Sequence, residues 1–173
     1  MLKPQYTRRP FNILLIGPPL SGKRTLATQL LKTKDVFYKI HTAESIPTKP
    51  LSRIDFVFIM VDMTQSYSLT LLNQLLQQMQ DRFLVTKTTV LVTKMDKRNR
   101  WQFEVEQVQD SIKSVFDVPV FYVNFTNELE KRKIVDQLSR LVKTSTLQYK
   151  NTSGILLNSV HTYILDDLED DEY

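Results

Sequence analysis

The chain has no cysteine, which excludes disulfides, thiolate metal sites and a cysteine nucleophile. A reducing compartment, cytosol or nucleus, fits that absence. Glycine is nearly as scarce: only Gly17, Gly22 and Gly154 occur, and no repeat or low-complexity stretch is present. The two histidines, His41 and His161, have no second ligand or triad partner at usable spacing, so neither is assigned chemistry. No apolar run approaches the ~18 residues of a membrane span. The longest, residues 56–61, has the length of a strand. The opening MLKPQYTRRP carries two arginines without an apolar stretch behind them and does not read as a secretory signal.

What is present fits one α/β domain. The length of 173 residues allows a single domain with a real core. Charge is unevenly distributed. Residues 166–173 hold six acids and no base, which leaves 23 bases against 13 acids in the rest, a formal +10. A basic body with an acidic tail points to an anionic partner or nearby nucleic acid, or else to an ordinary solvated surface. Direct DNA contact is compatible with that balance, but no recognised nucleic-acid motif supports it.

Strand-length apolar runs alternate with runs of helical period. Strands are expected at 11–16, 36–42, 54–61, 88–93 and 118–124. A helix is expected over 23–34, with Leu26, Leu30 and Leu31 on one face. Leu69, Leu72, Leu76, Met79 and Phe83 mark a second helix; Trp101, Val105, Val108, Ile112 and Val115 a third; Ile134, Leu138, Leu141 and Val142 a fourth. Such stripes are ordinary core positions. The long strand-to-strand connections predict a mostly parallel, three-layer sheet.

Residues 17–25 read Gly-Pro-Pro-Leu-Ser-Gly-Lys-Arg-Thr, a GxxxxGK phosphate loop that follows a strand and opens a helix. In such a loop, backbone N–H groups and the helix N-terminus receive phosphate, and Lys23 reaches its terminal oxygens. The next residue should be Ser or Thr, to hold Mg²⁺. Here it is Arg24. Thr25 lies about 100° further round the helix and cannot take that role without a shift in register.

Thr93-Lys94-Met95-Asp96 matches the [Asn/Thr]-Lys-x-Asp motif with which GTPases read guanine. The third base-side motif, Ser-Ala-Lys, is replaced by Asn124-Phe125-Thr126. The interval 43–53 contains no Asp and no Gly, and it is too short for a further strand, a catalytic loop and a helix. The switch and Asp-x-x-Gly segment is therefore expected to be missing. Asp62 is the one acid expected at a strand end, either as a distal metal ligand or as the cap of the turn 62–66. These readings define a P-loop, small-GTPase-like α/β fold over residues 1–143. The candidate nucleotide contacts are Gly17, Gly22, Lys23, Thr25, Thr93, Lys94 and Asp96.

With the switch segment gone, the remaining features resemble the centromere protein M family. The stretches that carry the likeness are His41-Thr42-Ala43-Glu44-Ser45-Ile46-Pro47, Arg53-Ile54-Asp55, Ser66-Tyr67-Ser68-Leu69 and Ser153-Gly154-Ile155-Leu156-Leu157-Asn158, together with the acidic end. This chain departs by keeping a fuller phosphate loop and residues 93–96. The resemblance implies a scaffold of the constitutive centromere-associated network that does not hydrolyse GTP and carries no catalytic residues, cofactor or metal. It would bind centromere protein I, with centromere proteins H and K in the same assembly, at the kinetochore in the nucleus. A divergent small GTPase that binds GTP or GDP through Lys23 and Asp96 is the alternative.

Residues 144–173 are expected to form a linker, an amphipathic helix and the acidic tail. Leu157, Val160, Ile164 and Leu168 recur at spacings of 3, 4 and 4. Such a stripe must be covered, either by its own domain or by a groove on a partner.

Overall fold

The apolar runs pair as five strands in the computed structural model, which describes residues 10–33, 36–48, 51–79, 86–115 and 117–147. The strands are β1 (Phe11–Ile16), β2 (Tyr38–Ala43), β3 (Phe56–Asp62), β4 (Thr88–Thr93) and β5 (Val120–Val123). The described helices are α1 (Lys23–Leu31), α2 (Tyr67–Gln78), α3 (Val105–Lys113) and α4 (Glu128–Leu147). The sheet runs β2-β1-β3-β4-β5, and every pairing is parallel.

Burial follows position in the sheet. All residues of β3 and β4 are buried, as central parallel strands covered on both faces must be. The edge strand β2 buries only Tyr38 fully. Side chains alternate between two cores. Leu14, Ile16, Val57, Ile59, Val61, Val90 and Val92 meet α2 and α3 on one face. Ile13, Leu15, Phe56, Phe58, Met60, Leu91, Phe121 and Val123 meet α1 and α4 on the other. The result is a three-layer α/β fold.

The connection from β2 to β3 passes over β1, and its described residues hold only a 3-10 turn, Leu51–Arg53. Ile46, Leu51 and Ile54 from this connection pack on the first core. A loop thus covers part of the sheet where neighbouring crossovers use helices.

Several boundaries differ from expectation, each for a local reason. Pro119 has no N–H to give to a ladder, although its carbonyl accepts from Val90 N at 2.8 Å; β5 therefore starts at Val120. Helix α2 buries Ser68, Leu71, Leu72, Leu75 and Leu76, a wider stripe than the predicted one, with Leu69 only at its margin and Phe83 outside the described residues. Trp101 does not open α3. It follows the 3-10 turn Arg98–Arg100, and α3 starts behind a reciprocal cap between Glu104 and Gln107. Helix α4 continues through 144–147, where composition reads as linker. Among the described residues no helix is long and apolar enough to cross a membrane.

Candidate functional site

From β1 the chain goes to β2 on one side, then returns to β3 on the other. The turn 17–22 lies at the C-terminal end of β1, where this reversal opens a crevice in parallel sheets. Two glycines make the turn feasible. A Cβ on Gly17 would lie 2.8 Å from the Met60 carbonyl oxygen and equally close to Met60 Cβ. Gly22 has φ +97°, and a Cβ there would lie 2.9 Å from the Phe125 ring. Leu20 is also left-handed, with φ 62°, so left-handed residues flank Ser21, a backbone pattern found in anion nests.

Lys23 opens α1 and folds back over the turn. Its Nζ donates to the Gly17 carbonyl at 2.7 Å and the Pro18 carbonyl at 2.6 Å, and its side chain is only 10% exposed. Burial pushes the ammonium pKa below its ordinary value, while the nearby Glu44 carboxylate opposes that shift. Glu44 Oε1 lies 3.9 Å from Nζ. The Ala43 carbonyl accepts from Gly17 N at 3.1 Å, which seats the end of β2 beside the turn. Glu44 belongs to no motif in the interval 43–53, which holds neither Asp nor Gly. The signal available was its place directly after β2.

Helix α1 is regular from its start, with Leu26 N donating to the Gly22 carbonyl at 3.0 Å. No register shift brings Thr25 into the place of Arg24, and Arg24 is exposed. Asp62 is 1% exposed, and its carboxylate is occupied by its own turn. Oδ1 accepts from Thr64 N and Oγ1 at 2.9 and 2.7 Å, and Oδ2 accepts from Gln65 Nε2 at 2.8 Å. The same Gln65 amide donates to the Pro19 carbonyl at 2.8 Å. Of the two roles expected for Asp62, the geometry is that of the turn cap.

The loop after β4 is tied to the same place. Thr93 Oγ1 lies 3.1 Å from the Ser21 carbonyl and 3.2 Å from that of Val61. Lys94 is left-handed, with φ 64°, and its carbonyl accepts from Trp101 Nε1 at 3.1 Å. Asp96 is exposed. After β5, Asn124 Oδ1 accepts from Thr126 N and Oγ1 at 3.0 and 2.5 Å, while Phe125 packs over Gly22.

Gly17, Gly22, Lys23 and Thr93 are therefore brought together, with Lys94 and Asp96 on the loop that Thr93 anchors. Thr25 stays on the helix behind them. Leu157, Val160, Ile164 and Leu168 lie outside the described residues. The assembled groups are a nest-like turn and an ammonium that donates to that turn's own carbonyls. They do not suit Mg²⁺, since Arg24 stands at the hydroxyl position and Asp62 is engaged. Among the described residues no three His, Asp or Glu side chains gather as a metal site.

Fold and site define a class: a three-layer, parallel α/β domain with a glycine-bounded turn at the switch point of its sheet. Within that class the chain belongs to the centromere protein M family, whose model, described as Centromere protein M (CENP-M), matches residues 7–163. Membership associates the chain with the centromere and kinetochore, and so with chromosomes in the nucleus. No curated protein matches it significantly.

Proposed function

We propose that this chain is a non-catalytic pseudo-GTPase scaffold subunit of the inner kinetochore, within the constitutive centromere-associated network. It binds and stabilises centromere protein I, with centromere proteins H and K in the same assembly. The observation that carries this reading is the mismatch within one site. The phosphate-loop turn and Lys23 are kept, but Arg24 replaces the metal hydroxyl and Asp62 is held by Thr64 and Gln65. Phosphoryl transfer rests almost wholly on positioning and electrostatics, so losing the metal ligands removes most of the means. Co-expression with centromere proteins I, H and K tests the reading. The chain is expected to co-elute with them as one assembly; elution of a folded chain apart from all three contradicts the proposal.

A second reading has its own support. The Thr93 to Ser21 contact joins the base motif to the turn, which favours a divergent small GTPase that binds GTP or GDP through Lys23 and Asp96. Mass spectrometry of the natively purified chain separates the two. The scaffold reading expects no stoichiometric guanine nucleotide.

A further inference from the structure

The loop after β4 carries Lys94, Lys97, Arg98 and Arg100 within seven residues. Arg98 and Arg100 are exposed, and Lys94 and Lys97 are half-buried. Among the described residues the ion pairs are Lys23 with Glu44 and Lys131 with Glu128; none of these four cations has an acidic partner. Asp96 is the one acid in the stretch. The loop is held in place by Thr93 Oγ1, by Trp101 Nε1 and by Gln102 N, which donates to the Met63 carbonyl at 2.8 Å. Arg98 lies over the Trp101 ring, 5.9 Å from its centre. These four cations form a rim on the loop at the C-terminal end of β4. The start of α4 is different: Lys131, Arg132 and Lys133 are interleaved with Glu128, Glu130 and Asp136, and Lys131 is already paired.

The sequence supplies a complementary segment. Residues 166–173 hold six acids and no base, and they lie beyond the span 7–163 that the family accounts for. Residues 148–165 separate them from Leu147. That stretch reaches on the order of 60 Å if extended. Helix α4 is about 30 Å long at 1.5 Å per residue, and it starts directly after the C-terminal end of β5, the end of the sheet that carries the rim. The tether can therefore return to the rim even with a helix within it.

We propose that the acidic segment 166–173 docks in cis on the cationic rim of Lys94, Lys97, Arg98 and Arg100. Tethering gives the segment an effective concentration on the order of millimolar, which favours it over free anions. The contact is between exposed charges, so salt weakens it as the Debye length falls below about 10 Å.

Zero-length carbodiimide cross-linking of the full chain, read by mass spectrometry, tests this directly. At low salt, intramolecular links from the acids of 166–172 are expected to concentrate on Lys94 and Lys97, and to disappear in molar salt. The variant Arg98→Ser with Arg100→Ser keeps both reactive lysines and alters only exposed side chains; its yield of these links should fall several-fold. Links spread over lysines in proportion to exposure, or a yield unchanged in the variant, overturn the proposal. Links between separate chains overturn it in favour of a second copy as occupant, and an absence of links at low salt removes the docking altogether.

Discussion

Lys23 is held between two effects that oppose each other. Burial lowers its pKa, and the Glu44 carboxylate raises it. Replacing Glu44 with Gln removes the opposing charge and leaves the desolvation, so the Lys23 pKa is expected to fall further. NMR titration of the lysine side chain reads this; a pKa that rises or stays put in Glu44→Gln contradicts the pairing. At Gly17 the constraint is steric. The nearest obstacles to a Cβ are the Met60 carbonyl and Cβ at 2.8 Å, parts of a central strand that cannot turn aside like a flexible side-chain end. Gly17→Ala should cost about 1–3 kcal/mol in denaturant unfolding, in the range of other overpacking changes. An alanine variant as stable as the parent would mean that the turn does not approach β3 so closely.

At the scale of elements, the turn 17–22 and the loop 93–104 behave as one unit because Thr93 bridges them. Thr93→Val keeps the shape and removes the hydroxyl that faces the Ser21 and Val61 carbonyls. The expected loss is about 1–2 kcal/mol, with faster amide exchange at both the turn and the loop. Faster exchange in the loop alone contradicts the bridge. Much of this unit was legible in the sequence. GxxxxGK between a strand and a helix, and Thr-Lys-x-Asp after a later strand, each predict a position as well as a residue type. The central strands were legible for a similar reason, since continuous Val, Ile and Phe runs suit a sheet buried on both faces. The misses came where local pattern and tertiary contact diverge. Trp101 keeps the spacing of a helical stripe, yet its indole N–H bonds the Lys94 carbonyl and closes a loop. Glu44 is an unremarked acid in sequence and becomes the neighbour of Lys23 only when β2 pairs with β1. The wider buried stripe of α2 reflects a helix lying flat on a sheet, which covers more of its face than a narrow seam.

For the whole molecule, the proposed function rests on a glycine-bounded turn followed by Arg24 in place of a hydroxyl residue, with Asp62 engaged in its own turn. Restoring one part should not be enough. Arg24→Ser returns a hydroxyl to the second position of α1 but leaves Asp62 in its turn and supplies no positioned water, so this variant is expected to remain without turnover in a phosphate-release assay. Turnover at the level of an ordinary small GTPase from that single change would mean that the rest of the machinery is present. The apolar stripe Leu157, Val160, Ile164 and Leu168 belongs to this scale as well. If it serves a partner, Leu157→Glu with Ile164→Glu leaves the isolated chain folded and abolishes co-elution with centromere protein I. If it packs at home, the same pair unfolds or aggregates the chain. A double variant both stable and fully competent for assembly excludes either role.

The central claim, a phosphate loop without phosphoryl transfer, is tested most directly by GTP hydrolysis with purified full-length chain at saturating Mg²⁺, alongside Lys23→Ala. Phosphate release is expected at buffer background for both proteins. Release above background that is lost in Lys23→Ala would show that the loop still supports catalysis, and it would contradict the reading of this chain as a pseudo-GTPase.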